Sequence, residues 1–275
     1  MPVRAKRKYL LAGSILAVFA AVGASAQPAP AIPDFSSNLT AWAGGIGVDF
    51  TAVPGSPPPN HQDPAHPFVP NNAGAQPTYR LADLAANTNL KQWAKDVMKK
   101  DNDEVLKGKI GFTPSSSCKQ PGVPASWLAG GPFFFIQTAK QVMIVEEGDR
   151  HARRIHMDVP HSANPKPSWY GESVGHYEGD TLVVDTIGFN TKTFVDNYRT
   201  PHSDKLHVVE RYRLIDDGKT LEVRFRVEDP ETFNQPWEAI RRFNKTQATL
   251  GEEICQEGNF MLFDYGIPVA KTPDF

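Results

Sequence analysis

The segment from Ser168 to Tyr212 reads SWYGESVGHYEGDTLVVDTIGFNTKTFVDNYRTPHSDKLHVVERY and is the most informative about the fold class. Two runs within it, Glu172 to Tyr177 and Thr181 to Thr186, have the composition of strands. They flank the short polar link Glu178-Gly179-Asp180, whose glycine can take a positive φ. The segment therefore predicts a β-hairpin.

A third strand is predicted from Leu206 to Leu214, after a polar connection. Because side chains alternate across a strand, Glu210 lies on the same face as Leu206, Val208 and Tyr212. A carboxyl group on an apolar face is either paired with a cation or held partly protonated. This makes Glu210 a candidate site residue.

The rest of the chain after Cys118 also has the pattern of strands joined by short turns. Successive strands with short connections favour antiparallel neighbours, and a sheet of eight or nine twisted strands tends to close. We therefore predict an all-β fold, an antiparallel meander closing as a barrel or a strongly curved sheet; a two-sheet sandwich fits the same periodicity. The further predicted strands are Phe133 to Gln137, Gln141 to Glu146, Ala152 to Asp158, Thr220 to Val227, Trp237 to Asn244 and Glu252 to Phe260.

The first 26 residues have the features of a secretory signal peptide, namely a cationic start, an apolar run and Ala24-Ser25-Ala26. No later run is apolar and long enough to insert stably in a membrane, so a soluble periplasmic or secreted protein is expected. Removing four basic residues changes the net charge from −2 to −6. That charge argues against a nucleic-acid partner.

Three regions follow the signal peptide. Residues 27–78 form an extended lead rich in proline and glycine, 79–117 a helical addition, and 118–275 the β domain. Leu90, Trp93 and Val97 follow helical spacing and predict the apolar stripe of that helix. In an oxidising compartment, Cys118 and Cys255 favour one disulfide over two buried thiols.

The motifs SVGHYEGDTLVVDTIGFN, SDKLHVVERYRL and VEDPETF resemble those of a widespread group of uncharacterised exported bacterial proteins. The similarity extends from about Leu90 to Cys255 and includes Arg153-Arg154-Ile155. The resemblance implies a single exported domain and brings no established activity.

Four residues are candidates for acid–base catalysis. A raised carboxyl pKa would suit Glu210 to that role, although a buried salt bridge with an arginine such as Arg154 or Arg224 explains it equally well. Asp185 interrupts an apolar strand in the same manner. His207 and Tyr170 complete the set, although His207 is expected on the opposite sheet face from Glu210.

Five further residues are candidates for binding a small organic molecule, through aromatic walls and a few polar groups. They are Arg154, Trp169, Asn190, His202 and Trp237. The sequence contains no nucleotide-binding or haem-attachment motif and predicts no organic cofactor. Converging histidines leave a divalent metal open, but no spacing predicts one.

The leading functional hypothesis is a periplasmic, cofactor-independent enzyme, a lyase or hydrolase, acting on a small molecule such as a plant-derived aromatic or a glycoside. A lyase needs only a base, an acid and an anion stabiliser. The alternative is a lipocalin-like carrier that holds an apolar ligand inside the barrel. A structural or partner-binding protein of the cell envelope is a third possibility.

Overall fold

A computed structural model describes residues 1, 32–36, 40–45, 49–69, 80–109, 111–148, 152–251 and 255. The predicted hairpin is present as strand β6, Glu172–Glu178, and strand β7, Thr181–Ile187. Gly179, in the turn between them, has a φ of +63°. The signal-peptide prediction and most of the strand predicted from Glu252 to Phe260 lie outside the described residues.

The sheet is a closed barrel, as predicted. Besides β6 and β7, the described residues form β1 Thr40–Ala43, β2 Thr51–Ala52, β3 Phe133–Gln137, β4 Gln141–Glu146, β5 Ala152–Met157, β8 His207–Ile215, β9 Thr220–Glu228 and β10 Trp237–Gln247. Nine of these described strands, β1 and β3 to β10, form the barrel, and β2 pairs with β10 alone among them. Closure comes from β1, which pairs with both β10 and β3. The barrel therefore begins at residue 40, inside the proline-rich lead.

One strand pair departs from the antiparallel meander. Strands β5 and β6 run parallel, with Ile155 opposite Ser173 and Met157 opposite Gly175. Residues 158–171 make this possible, because they carry the chain back to the end of the barrel at which β5 began. The first residues of β5 have no partner in β6, so the two strands diverge at that end.

The two ends of the barrel differ. Tight turns at 138–140, 179–180 and 216–219 occupy one end. The opposite end carries the long connections 188–206 and 229–236, and the crossover 158–171 runs to it from the end with the tight turns. The opposite end also carries residues 111–132, which we call the plug segment.

The plug segment closes its end of the barrel. It contains two short 3₁₀ helices, Pro114–Ser117 and Ala125–Leu128. Trp127 in the second is fully buried and packs against Phe133, Tyr212 and Phe243. A disulfide joins Cys118 of this segment to Cys255, as the sequence favoured.

The single α-helix of the described residues, α1 at Gln92–Leu106, lies at the same end. The indole N–H of Trp93 donates to the carbonyl of Glu231 in the β9–β10 connection. The predicted apolar stripe was wrong, because Trp93 is 40% exposed and Val97 is exposed as well. The buried face consists of Ala94, Met98, Asn102 and Val105. The helix is rotated because Ala94 and Met98 join the core and Asn102 accepts a hydrogen bond from Arg199.

Aromatic side chains fill much of the barrel interior. Trp42, Trp127, Tyr212, Phe225 and Phe243 are all buried in one continuous core. No helix in the described part of the chain is long and apolar enough to span a bilayer.

Candidate functional site

The inward face of β8 carries a sealed polar network around Glu210. Its carboxylate is 0% exposed and forms a salt bridge with Arg153, whose side chain is 4% exposed. Oxygen Oε1 accepts hydrogen bonds from Trp127 Nε1 at 2.7 Å, Tyr212 Oη at 2.8 Å and Arg153 Nη1 at 3.0 Å. Of the two interpretations that the sequence left open for Glu210, the buried salt bridge is the one observed, and its partner is Arg153.

Hydrogen bonds and charge hold this interior network in one arrangement. Ser173 and Thr186 accept hydrogen bonds from the Arg153 guanidinium. Burial is the largest single influence and opposes a charge on Arg153, but Glu210, Tyr212 and Tyr170 together outweigh it and raise the pKa of the guanidinium. Burial, and then the Glu210 carboxylate, raise the pKa of Tyr212 well above its ordinary value. The network therefore holds a fixed ion pair with neutral donors around it.

The outward face of β7 and β8 carries a second, half-exposed network. Asp185 Oδ1 lies 2.9 Å from His161 Nε2 and 3.0 Å from His207 Nε2. His161 comes from the parallel crossover, and its Nδ1 lies 3.1 Å from Oε1 of Glu172. Glu228 lies 3.7 Å from His207 Nδ1. We call Glu172, His161, Asp185 and His207 the outer chain.

The groups of the outer chain and their neighbours shift one another's pKa values. The hydrogen bond from His207, followed by that from His161, lowers the pKa of Asp185 in spite of its partial burial. The hydrogen bond to Asp185 is the main reason why the pKa of His207 is raised. Hydrogen bonds from Ser162 lower the pKa of Glu172. The three shifts have the direction expected when carboxylates accept hydrogen bonds from imidazoles and hydroxyls.

A cleft of about 660 Å³ opens where β5 and β6 diverge. We call it the β5–β6 cleft. Its lining includes three of the predicted site residues, Arg154, Trp169 and Tyr170, together with Lys166 and Glu172. Arg153 and Ser173 form part of its floor. The cleft therefore touches the interior network through Arg153 and the outer chain through Glu172.

The β5–β6 cleft has an excess of positive charge. The carboxylate of Glu172 is hydrogen-bonded to Ser162 and His161, and the charge of Arg153 is balanced by Glu210. Arg154 and Lys166 have no ion-pair partner within the described ranges. An anionic ligand with an aromatic group matches these cations and the Trp169 and Tyr170 rings.

The remaining predicted site residues lie elsewhere. Asn190 accepts a hydrogen bond from the backbone N–H of Lys192 and so shapes a turn. His202 is buried between the Thr193 hydroxyl and the Ser203 carbonyl, and burial lowers its pKa. Trp237 packs in the core against Phe50 and Phe233. None of the three lines the β5–β6 cleft.

Sequence reasoning missed three residues that matter here. Arg153 alternates with Ile155 and Met157 on β5, so the argument used for Glu210 would have placed it on the inner face. His161 and Trp127 gave no comparable signal, because both belong to irregular segments whose contacts depend on tertiary structure. His161 is nevertheless the residue that joins Glu172 to Asp185.

In the part of the chain that the structure describes, no three His, Cys, Asp or Glu side chains converge as ligands for a metal ion. No protein-family model, no curated protein and no solved structure matches this chain.

Proposed function

We propose that the protein is an exported acid–base enzyme, a lyase or hydrolase, which acts on a small anionic aromatic molecule in the β5–β6 cleft. The observation that carries the proposal is the position of Glu172. This carboxylate lines a cleft with two uncompensated cations, Arg154 and Lys166, and is also the first member of the outer chain. Export is part of the proposal and is supported by residues 1–26.

In the proposed complex, Arg154 and Lys166 hold the anionic group of the substrate, and the Trp169 ring packs against its aromatic part. Tyr170 lies close enough to Arg153 to interact with it electrostatically. We assign Tyr170 the role of general acid and Glu172 the role of general base. Together they supply the acid, the base and the anion-binding groups that an elimination or hydrolysis needs.

The outer chain offers a path for the proton that Glu172 removes. His161 lies between two carboxylates, those of Glu172 and Asp185. A neutral imidazole donates only one hydrogen bond, whereas a protonated one donates two. A proton passed from Glu172 to His161 therefore completes both hydrogen bonds, and His207 lies on the far side of Asp185.

The proposal gives Glu210 a structural role, because its carboxylate is sealed from the cleft and surrounded by donors. Carriage of an apolar ligand inside the barrel has less support. The interior positions that such a ligand would need are taken up by aromatic side chains such as Phe133, Phe225 and Phe243.

Native mass spectrometry with a pooled set of aromatic acids, phenolic ethers and aromatic esters tests the proposal. We expect protein-dependent product masses from the wild type. Arg154→Gln should weaken substrate binding by about tenfold or more, the value of one charge-assisted hydrogen bond. Tyr170→Phe and Glu172→Gln should retain binding and lower turnover by about 100-fold or more.

Arg213→Gln is the charge-matched control, since Arg213 is exposed on the outer face of β8 and away from the cleft. It should behave like the wild type. Full turnover in both Tyr170→Phe and Glu172→Gln would contradict the assigned roles. A ligand retained at unchanged mass, with no product from any compound, would favour a binding protein instead.

A further inference from the structure

A second cleft, of about 500 Å³, lies between the plug segment and the β7–β8 connection. We call it the plug cleft. Its apolar lining comes from Phe68, Pro114, Leu128 and Phe194. It shares no lining residue with the β5–β6 cleft. The two clefts are therefore separate sites.

The plug cleft contains an arginine, Arg80, whose Nε donor is not satisfied. The Arg80 guanidinium carbon lies 4.4 Å above the centre of the Phe68 ring. Its Nε is buried, and no described residue accepts a hydrogen bond from it. Burial lowers the pKa of Arg80 but leaves an arginine cationic near neutral pH. A buried cationic donor without an acceptor is costly, so an anion bound at Arg80 would recover that cost.

The other charged groups that line the plug cleft are already engaged. Arg199 forms a salt bridge with Asp101 and donates to Asn102. Asp196 accepts hydrogen bonds from the side chains of Asn60 and Thr200.

Two further acidic groups bear on the electrostatics of the cleft. Glu146 accepts a hydrogen bond from the backbone N–H of Gly148. Asp49 accepts a hydrogen bond from Tyr198, lies within electrostatic range of Arg80 and does not line the cleft. Arg80 is accordingly the group with donors left for a ligand.

We propose that the plug cleft is a second binding site, which takes a flat organic anion such as an aromatic carboxylate. The carboxylate accepts hydrogen bonds from the Arg80 guanidinium, whose planar donors match its two oxygens. The ring lies among Leu128, Phe194 and Pro114. Phe68, stacked on the guanidinium, holds the arginine in place for this contact. The proposal does not depend on the chemistry assigned to the β5–β6 cleft.

Titration of the purified protein with 2-naphthoate tests this site, with native mass spectrometry for stoichiometry and calorimetry for affinity. We expect the wild type to bind at the plug cleft with an affinity that Arg80→Gln lowers about tenfold or more. Ser115→Trp should block binding as well, because Ser115 is exposed and lines the cleft. Arg213→Gln, which removes one exposed charge elsewhere, should leave the affinity unchanged.

Three results would overturn the proposal. The first is naphthoate affinity and stoichiometry unaltered by both Arg80→Gln and Ser115→Trp in folded protein. The second is binding that Arg154→Gln abolishes and Arg80→Gln does not change, which would place the anion in the β5–β6 cleft alone. The third is equal affinity of the plug cleft for the uncharged 2-naphthalenemethanol, which would show that Arg80 does not select an anion.

Discussion

The two faces of strand β8 carry two polar networks that differ chiefly in burial. Glu210 points inward, is 0% exposed and is bound to Arg153, Trp127 and Tyr212. His207, three residues earlier, points outward, is 32% exposed and is bound to Asp185, which is 39% exposed. Both networks bring carboxylates and cations together.

Burial decides what each network can do. The ion pair between Glu210 and Arg153 is removed from water. Removal of either partner would therefore leave the other as an unpaired buried charge. The outer chain is in contact with solvent, and imidazole is the side chain best suited to proton transfer near neutral pH. The inner network is therefore suited to stabilising the barrel, and the outer chain to proton transfer.

Removal of the Glu210 carboxylate should have the largest effect on stability. In Glu210→Ala, Arg153 stays buried without its counter-ion, which should cost about 3–5 kcal/mol in the free energy of unfolding. Denaturant unfolding monitored by circular dichroism measures this. The double variant Arg153→Met with Glu210→Leu is the control and should be much less destabilised, because it removes both charges. A loss below about 1 kcal/mol in Glu210→Ala would remove the distinction between the two networks.

Removal of a neutral donor to the same carboxylate should have an intermediate effect. Trp127→Phe keeps an aromatic ring in the plug segment and deletes the N–H that donates to Glu210. Because Arg153 and Tyr212 still donate to the carboxylate, the expected loss is about 1–2 kcal/mol. The same unfolding measurement tests it. No change would mean that the ring alone, and not its hydrogen bond, accounts for the role of Trp127.

Disruption of the outer chain should have only a small effect on stability. Asp185→Asn should cost less than about 1 kcal/mol, since the group is more than one-third exposed and solvent screens it. The pKa of His207, raised mainly by its hydrogen bond to Asp185, should move back toward 6.5. An NMR titration of the His207 ring protons checks this shift. A His207 pKa that does not fall would show that Asp185 is not the cause.

The smallest expected effect is the pH dependence of the stability that the outer chain contributes. Its direction follows from the pKa shifts of His207 and Asp185. Because the folded-state pKa of His207 is raised, its contribution to stability is present below pH 6.5 and is lost as the pH rises through the raised value. Because the pKa of Asp185 is lowered, its contribution is present above pH 3.8 and is lost as the pH falls through the lowered value. The Asp185–His207 pair should therefore stabilise the fold most between pH 3.8 and pH 6.5.

The same denaturant-unfolding experiment at high ionic strength distinguishes the inner network from the outer chain. Raising the ionic strength to about 1 M shortens the screening length to about 3 Å, so the stability difference between wild type and Asp185→Asn should shrink. The difference between wild type and Glu210→Ala should persist, because buried pairs are screened much less. Equal sensitivity to salt would contradict the assigned burial.

Local patterns in the sequence were enough for the all-β fold and for the placement of Glu210, whereas the choice of a barrel over a two-sheet sandwich depended on long-range strand pairing. Alternation along β8 fixes which residues face inward, and the Gly179 turn fixes the β6–β7 hairpin, since both depend on neighbours close in the chain. The same alternation applied to β5 would also have identified Arg153. The prediction of the apolar stripe on α1 was wrong because two faces of this helix fit helical spacing. Contacts with residues distant in sequence bury the face with Ala94 and Met98.

The assembly of the candidate site depends on contacts between residues far apart in the sequence. The parallel pairing of β5 and β6 results from the path of residues 158–171, which carry no periodic pattern. That path opens the β5–β6 cleft and brings His161 to Asp185, 24 residues away. The plug segment brings Trp127 to Glu210, 83 residues away. Local periodicity sets which side chains face the interior, so that assignment can be made from the sequence. Which of these side chains meet depends on the long-range packing of irregular segments, which no local pattern encodes.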